Sequence, residues 1–280
     1  MAHTSFRQRL GKALLYVTLL LGSVFTVTPF LYMVSTSFKG QVYVFEFPPR
    51  FIPEHPSVDN FIRAWASNSF GLYFFNSLVV AIATTLIVVL LTSMMAYAFA
   101  RFEFVGKNAL FYAMLGMMMV PGLMLIIPQF ILAGQLHLLN KLSGLVIVYA
   151  AGGMAFNTFL LRGFFEGLPR DLEEAVLLDG GGPWTIYTRV IIPLSTPALA
   201  TVSIFAFLGA WDEYIWALTV INEARKRTLP IAIANFQGTH ASDWGLIFAA
   251  SLIAVTPVLV LYISLQRFFV EGLTSGAIKG

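Results

Sequence analysis

The stretch that decides the fold is residues 64–100, AWASNSFGLYFFNSLVVAIATTLIVVLLTSMMAYAFA, where 37 residues without a charged side chain separate Arg63 from Arg101. A membrane hydrocarbon core about 30 Å thick is crossed by roughly 20 apolar residues of helix. Lipid offers a backbone no hydrogen-bond partners, so a run of this kind must be helical. The sequence therefore predicts a membrane-spanning helix over about residues 73–99.

The rest of the chain repeats this pattern. Of its 280 residues, 17 are Lys or Arg and 14 are Asp or Glu, which is 11% charged against about 25% in soluble domains. Five further uncharged runs are long enough to cross a bilayer. The predicted spans are about residues 13–36, 73–99, 108–133, 142–161, 190–213 and 244–266. The predicted fold class is all-α: one polytopic membrane domain over residues 1–280 with six transmembrane helices.

The distribution of basic residues predicts the orientation. Arg7, Arg9 and Lys12 precede the first run, and no acidic residue occurs before Glu46. By the positive-inside rule the N-terminus is expected in the cytoplasm, and six spans return the C-terminus there. The first run has 26 residues, longer than the apolar core of a cleaved signal peptide, so an uncleaved helix is expected.

Two outer segments have competing interpretations. The basic triplet 225–227 is read as a solvated loop tip in preference to a site for an anionic ligand. Residues 228–242 are uncharged but too few for a comfortable span, so they predict an interfacial or re-entrant piece, with a seventh crossing as the alternative.

Several function classes lack the residues they need. The chain has no cysteine, which excludes disulfides, thiol catalysis and cysteine-based zinc sites. A Walker-type phosphate loop is absent, so no nucleotide cofactor is expected in this chain. The net charge of +3 is small and spread over loops, so no nucleic-acid partner is expected, whereas membrane lipid is.

One segment between the fourth and fifth spans is dense in charge. Residues 169–179 predict a helix of about two turns, with Pro169 in its first turn and Gly180 as a left-handed stop. Leu172, Ala175 and Val176 share a face of this helix. It could lie among lipid headgroups or seat in a groove on a partner protein. Its three nearby acids disfavour an anionic lipid surface, so the partner reading is preferred.

The spacing of this segment resembles a known motif. Glu174-Ala175-Val176, three residues, Gly180, nine residues, Val190, one residue and Ile192-Pro193 resemble the EAA loop of ABC importer permeases. Two residues depart from that pattern. Val176 replaces its second alanine, and Gly181 replaces the alanine that usually follows Asp-Gly. Residues 162–193 are called the EAA segment below.

The resemblance extends to carbohydrate importers of the maltose type. The stretches AYAFARF at 96–102, WDEY at 211–214 and QRFFVEGL at 266–273 are similar to the second permease subunit of those systems. It implies a heterodimer with a homologous permease, two cytoplasmic ATPase subunits that hold ATP and Mg²⁺, and an extracellular or periplasmic solute-binding protein. It also implies the cytoplasmic (inner) membrane of a bacterium or archaeon, and a chain that is a transport subunit and not an enzyme.

The resemblance also assigns roles to residues. A cytoplasmic EAA segment would dock on an ATPase subunit and couple its motions to alternating access of the spans. The residues expected to carry this coupling are Leu172, Glu173, Glu174, Ala175, Asp179, Gly180 and Pro193.

A candidate solute path lies at the end of the fifth span. Asp212 and Glu213 stand between Trp211 and Tyr214, and carboxylates with aromatic faces suit a sugar. The competing interpretation is an aromatic belt at the membrane surface, and the family often has Asn where Asp212 stands. Asn157 is a further candidate for the path. Asn76, Gln129 and Thr158 are other polar residues within spans, and hydrogen bonds between helices would explain all four.

The leading hypothesis is the permease subunit of an ATP-driven, binding-protein-dependent importer of a sugar, oligosaccharide or polyol. An importer of glycerol-phosphate-type solutes is the nearest alternative, but it should place Lys or Arg within the spans, and the sequence has none there. From another class, an ion-coupled secondary transporter would depend on Asp212 and Glu213 and would need no docking helix.

Overall fold

The structure, a computed structural model, describes residues 6–40, 50–67, 69–236 and 243–277, with side chains for all of these except 6–9 and 269–277. Every regular element within these ranges is a helix, which confirms the all-α class. Contacts divide the chain into two units, Met1–Asn68 with Ile233–Ala254, and Ser69–Ala232 with Val255–Gly280. The predicted single domain is thus two packing units along the chain.

The helices follow the uncharged runs of the sequence. In chain order they are α1 (Phe6–Ser37), α2 (Asp59–Ala66), α3 (Phe70–Arg101), α4 (Lys107–Met117), α5 (Ile126–Gln135), α6 (Leu142–Glu166), α7 (Asp171–Leu178), α8 (Pro183–Ile186), α9 (Ile192–Leu194), α10 (Thr196–Trp211), α11 (Ile215–Val220), α12 (Leu229–Ala234) and α13 (Trp244–Ala277). Short 3₁₀ turns at Gly122–Leu125 and Ala224–Lys226, and a π turn at Tyr187–Ile191, connect some of them.

Four stretches of single helix are long and apolar enough to cross a membrane: Leu10–Ser37, Phe70–Arg101, Leu142–Glu166 and Trp244–Phe268. Two bent helix pairs pass the same test, so the described residues hold four to six candidate spans. The chain is therefore a multi-pass membrane protein.

The first bent pair differs from the predicted third span, residues 108–133. Lys107–Met117 and Gly122–Gln135 meet at 94° across a break that contains Pro121. Proline has no amide hydrogen to donate and disfavours helical geometry at the residue before it. Pro128, the second proline of this run, lies in the first turn of α5, where a missing amide hydrogen removes no helical bond. The predicted span is thus broken once, next to Pro121.

The second bent pair changes the start of the fifth span. Pro183–Leu194 and Thr196–Trp211 meet at 78°, so the straight helix begins at Thr196 and not near residue 190 as predicted. Pro197 cannot donate to the Pro193 carbonyl, which accepts the Thr196 hydroxyl at 2.8 Å instead. Residues 190–194 therefore belong structurally to the EAA segment.

The core of the larger unit lies where α3, α6 and α10 pack together. Val88, Leu161 and Val202, one from each helix, are at most 1% exposed. Small residues such as Ala96 and Ala206 lie in the same cluster, and small side chains let membrane helices approach closely. This packing determines where the ends of α3 and α6 lie, and with them the EAA segment between α6 and α10.

The smaller unit is held by polar contacts at the end of α1. Asn60 on α2 donates to the carbonyls of Ser37 at 3.0 Å and Lys39 at 2.6 Å. Arg63 pairs with Asp243 at 2.8 Å. No residue in the apolar 18-residue stretch of α1 is buried, as expected for a helix that meets lipid or another chain.

Candidate functional site: the EAA segment and the solute path

The EAA segment contains the helix that the sequence predicts. α7 begins at Asp171, two residues later than predicted, because the Arg170 carbonyl accepts the first helical bonds, from the amides of Glu173 at 2.8 Å and Glu174 at 3.1 Å. Three acids in the first turn favour the positive end of the helix dipole.

The end of α7 is a Schellman motif. Gly180 has a φ of +78°, which confirms the left-handed stop predicted there. Its amide donates to the Leu177 carbonyl at 3.0 Å, and the Gly181 amide donates to the Val176 carbonyl at 2.8 Å. The chain reverses at this point without leaving those carbonyls unpaired.

Glu173 turns into the protein and Glu174 does not. The Glu173 carboxylate accepts the Arg101 Nε at 2.5 Å, and the two side chains are 13% and 6% exposed. Arg101 also donates from Nη2 to the Leu168 carbonyl at 3.1 Å. Of the two neighbouring glutamates, Glu174 alone is exposed, so it alone is free to meet a partner.

The exposed face of α7 is more apolar than the sequence predicts. Leu172 is 44% exposed, Leu177 54% and Leu178 89%. The predicted face of Leu172, Ala175 and Val176 is split, because Val176 packs against the core cluster of α3, α6 and α10. Leu177 and Leu178 were missed, although two adjacent leucines at the end of an acidic helix were a signal for them.

The other predicted coupling residues have different surroundings. Ala175, Asp179 and Gly180 are exposed on or beside α7. Pro193 is also exposed, but it lies in α9 at the 78° bend, where it shapes the chain into α10.

Further ion pairs surround the end of α3 that meets α7. Lys107 pairs with Glu103 and Arg162 with Glu166, each at 2.8 Å. The hydrogen bond from Lys107, followed by its positive charge, lowers the pKa of Glu103. Carboxylates held ionised in this way suit a surface in contact with water.

Two residues of the predicted solute path are committed to packing. The Glu213 carboxylate accepts the Tyr149 hydroxyl at 2.6 Å and the backbone amides of Trp216 at 2.7 Å and Ala217 at 3.0 Å. It therefore caps α11 and joins it to α6. Trp211 is 3% exposed and stacks on Phe207 with centroids 5.5 Å apart.

The remaining candidates for the solute path include both exposed and buried side chains. Asp212 is exposed and Tyr214 is 37% exposed. Asn157 is 3% exposed, and its side-chain amide donates to the Gly153 carbonyl of its own helix at 2.8 Å, so this hydrogen bond does not join two helices. The sequence motif WDEY thus presents Asp212 and Tyr214 outward and keeps its other two side chains inside.

A cavity of about 560 Å³ lies between the broken pair α4–α5 and α6. Its lining includes Met117, Leu132, Ile147 and Phe156, with Gln129 as its polar side chain. No predicted path residue is among the described residues that line it. The sequence flagged Gln129 only as a polar residue within a span, because the bend that turns it toward α6 depends on tertiary structure.

One bent helix pair and α6 border an apolar cavity, and the short acidic helix α7 follows α6, an arrangement that suits a membrane transport subunit. Over residues 88–275 the sequence matches the family described as binding-protein-dependent transport system inner membrane component, and the chain belongs to that family. It is thus the permease subunit of an ABC importer, a class in which ATP hydrolysis lies on separate subunits, and it is not an enzyme.

The similar proteins cover nearly the whole chain. The diacetylchitobiose uptake system permease protein NgcG of Streptomyces coelicolor is 34% identical over 95% of this chain and 89% of its own length. The trehalose/maltose transport system permease protein MalG of Thermococcus litoralis is 32% identical over 97% and 98%. A crystal structure of a bacterial ABC transporter that imports the acidic polysaccharide alginate has a similar fold, with a TM-score of 0.83 at 22% identity over 96% of this chain and 100% of that one.

Proposed function

We propose that this permease imports a neutral sugar, oligosaccharide or polyol. Relatives at 32–34% identity are named for the uptake of diacetylchitobiose, of trehalose or maltose, and of sulfoquinovosyl glycerol, the last of which carries a sulfonate charge. The single observation that carries the choice is the cavity beside α6, whose lining among the described residues contains Gln129 and no Lys or Arg. We take this cavity as part of the solute path. An anionic solute would need basic side chains there to offset its loss of hydration.

The transport cycle requires partners that this chain lacks. We infer that it works with a homologous second permease, two ATPase subunits that bind ATP and Mg²⁺, and an external solute-binding protein, and the family description supports the last of these. In this arrangement each bent pair counts as one span, which gives six. Both termini and the EAA segment then face the cytoplasm of a bacterium or archaeon, and the apolar outer faces meet lipid.

α7 is the element that docks on an ATPase subunit. Its eight residues are too few for an isolated helix to be stable, so it gains from contact with a partner. The exposed Leu172, Leu177 and Leu178 offer an apolar surface with the Glu174 carboxylate beside them. An acid next to exposed leucines suits a cleft with an apolar floor and a basic rim.

Uptake assays test the substrate class. The complete transporter is reconstituted in vesicles with ATP inside, and its solute-binding protein is added outside with one sugar at a time. Neutral disaccharides such as maltose, trehalose and diacetylchitobiose are compared with uronic-acid oligosaccharides. ATP-dependent uptake of a neutral sugar is expected. Uptake restricted to charged sugars would refute the proposed substrate class, and uptake by this chain without ATP would refute the importer mechanism.

A further inference from the structure

One end of α3 holds the EAA segment through a row of polar side chains. Ser93, Tyr97 and Arg101 are four residues apart, so they lie on one face of the helix. The Ser93 hydroxyl lies 2.7 Å from the Tyr187 hydroxyl, and the Tyr97 hydroxyl donates to the Pro183 carbonyl at 3.1 Å. Both contacts fix the chain after α7.

Arg101 completes this attachment. Its guanidinium binds the Leu168 carbonyl before α7 and the Glu173 carboxylate within α7. Both side chains of the ion pair are largely buried, at 6% and 13% exposed, so removal of one charge would leave the other desolvated without its partner. α7 is therefore attached to α3 before, within and after its own length.

The other end of α3 holds a different segment, residues 221–229, which run from the end of α11 to the first residue of α12 and are called the loop 221–229 below. The Asn76 side-chain amide donates to the carbonyls of Arg225 and Arg227, each at 2.9 Å. The neighbouring Ser77 hydroxyl accepts the Leu229 amide at 2.8 Å. Three backbone points of this basic loop are thus fixed to one turn of α3.

The helix between these two attachments has no hinge. From Asn76 to Arg101 α3 contains neither Gly nor Pro, the residues at which helices usually bend. At about 1.5 Å per residue, the rise along α3 from Asn76 to Arg101 separates the attachments by roughly 37 Å, slightly more than a bilayer core. A stiff helix of this length can transmit a displacement of α7 to the loop 221–229.

We propose that α3 is the mechanical link between the ATPase-docking helix and the outer loop, with Arg101 and Asn76 as its positioning residues. The proposal rests on the proposed function, because it takes α7 as the docking helix. Stimulation of the ATPase by the external protein belongs to the proposed function; what we add is that α3 carries this coupling, in both directions, between α7 and the loop 221–229, which lies outside when six spans are counted. This reciprocity is a thermodynamic requirement of any coupling between two sites.

The test measures ATP hydrolysis by the complete reconstituted transporter, with and without its solute-binding protein carrying the sugar that gives most uptake. Arg101→Gln and Asn76→Leu should keep basal hydrolysis within about twofold and reduce its stimulation by the binding protein at least fivefold, the lower end of common allosteric couplings. Lys107→Gln is the matched control, because it breaks an ion pair at the same end of α3 that does not involve α7. It should keep full stimulation.

The charge-swapped pair Arg101→Glu with Glu173→Arg separates positioning from folding. It should recover at least half of the stimulation that Arg101→Gln loses. Parallel loss of basal and stimulated hydrolysis, no recovery in the swapped pair, or failure of the conservative Arg101→Lys variant to insert would each overturn the link. If no loaded binding protein stimulates ATP hydrolysis by the wild-type complex, the proposed function itself is refuted. If the Arg101 and Asn76 variants are stimulated as strongly as the wild type, only the role of α3 is refuted.

Discussion

At the scale of single residues, the two departures from the EAA pattern touch each other. A Cβ atom on Gly181 would lie 2.5 Å from Val176 Cγ1 and 2.9 Å from the Val176 carbonyl oxygen. The larger residue at 176 therefore requires the smaller one at 181. What the sequence presents as two separate substitutions is one packing change.

This contact leads to a prediction about Gly181→Ala. The added methyl overpacks the end of α7 and should lower the free energy of unfolding by about 1–3 kcal/mol. Val176→Ala in the same chain should recover much of this loss, although the tight carbonyl contact stays. Thermal unfolding of the detergent-solubilised protein provides the measurement, in a double-mutant cycle.

Gly182→Ala is the control for that cycle. Gly182 has an ordinary φ of −102° and nothing within 4 Å of an added Cβ, so its substitution should cost little. An equal loss at Gly181 and Gly182, or additive effects of the Gly181 and Val176 substitutions, would contradict the packing argument.

At the scale of elements, α11 depends on one carboxylate. Glu213→Gln keeps the shape of the side chain but replaces one of its two acceptor oxygens with an NH2 donor, which would face either the Trp216 amide or the Ala217 amide and the Tyr149 hydroxyl. A part-buried polar group left without a partner costs about 1–3 kcal/mol. At roughly 2–4 °C per kcal/mol for chains of 150–250 residues, the thermal midpoint should fall by several degrees.

Asp212→Asn tests the same motif on its exposed side. It removes a charge from a side chain that the structure leaves in contact with solvent, so the thermal midpoint should stay within about 1 °C, since surface substitutions usually change stability by less than 0.5 kcal/mol. Equal shifts for the Glu213 and Asp212 variants, measured in one unfolding series, would contradict the division of the motif into a buried and an exposed half.

At the scale of the whole molecule, docking of the ATPase should depend on the Glu174 carboxylate of α7 and not on an exposed acid outside that helix. Glu174→Lys reverses an exposed charge on α7, so the chain should insert normally while capture of the ATPase subunits and ATP-driven uptake fall at least tenfold, about 1.4 kcal/mol of binding free energy. Affinity capture from solubilised membranes measures this association.

Glu103→Lys is its matched control. Glu103 is another acid near the end of α3 that meets α7, and its side chain is 89% exposed, but it lies outside α7. This variant should keep its ATPase subunits. If Glu174→Lys also kept them and transported normally, the docking surface would have to lie elsewhere on the EAA segment.

The sequence predicts the elements of the fold well and their bends poorly. Each candidate span coincides with an uncharged run of the sequence. The requirement for crossing lipid is local, because about twenty apolar residues satisfy their backbone hydrogen bonds within one helix. Pro121 and Pro128 carry the same local signal, yet only Pro121 lies at a break. Whether a proline falls inside a helix or in its first turn depends on where packing starts the helix.

In the candidate site, too, the sequence predicts local features but not contacts between residues distant in the chain. The spacing from Glu174 to Pro193 and the stop at Gly180 identify the docking segment, because a short helix and its cap are encoded by neighbouring residues. The roles of Glu173 and Glu213 are not encoded by neighbouring residues, because their partners Arg101 and Tyr149 lie 72 and 64 residues away in the chain. A carboxylate has the same local sequence signal whether it faces a partner protein or an arginine of its own chain.

Membrane insertion, helical class and family thus follow from the sequence, because they depend on hydrophobic length and on motif spacing. The tertiary structure alone decides which of the scarce charges remain outside. Packing of α3 against α6 and α10 brings Arg101 to Glu173 and Tyr149 to Glu213, and burial makes each pairing obligatory because an unpaired charge in a low dielectric is costly. Glu174 and Asp212 are left to act outside the chain.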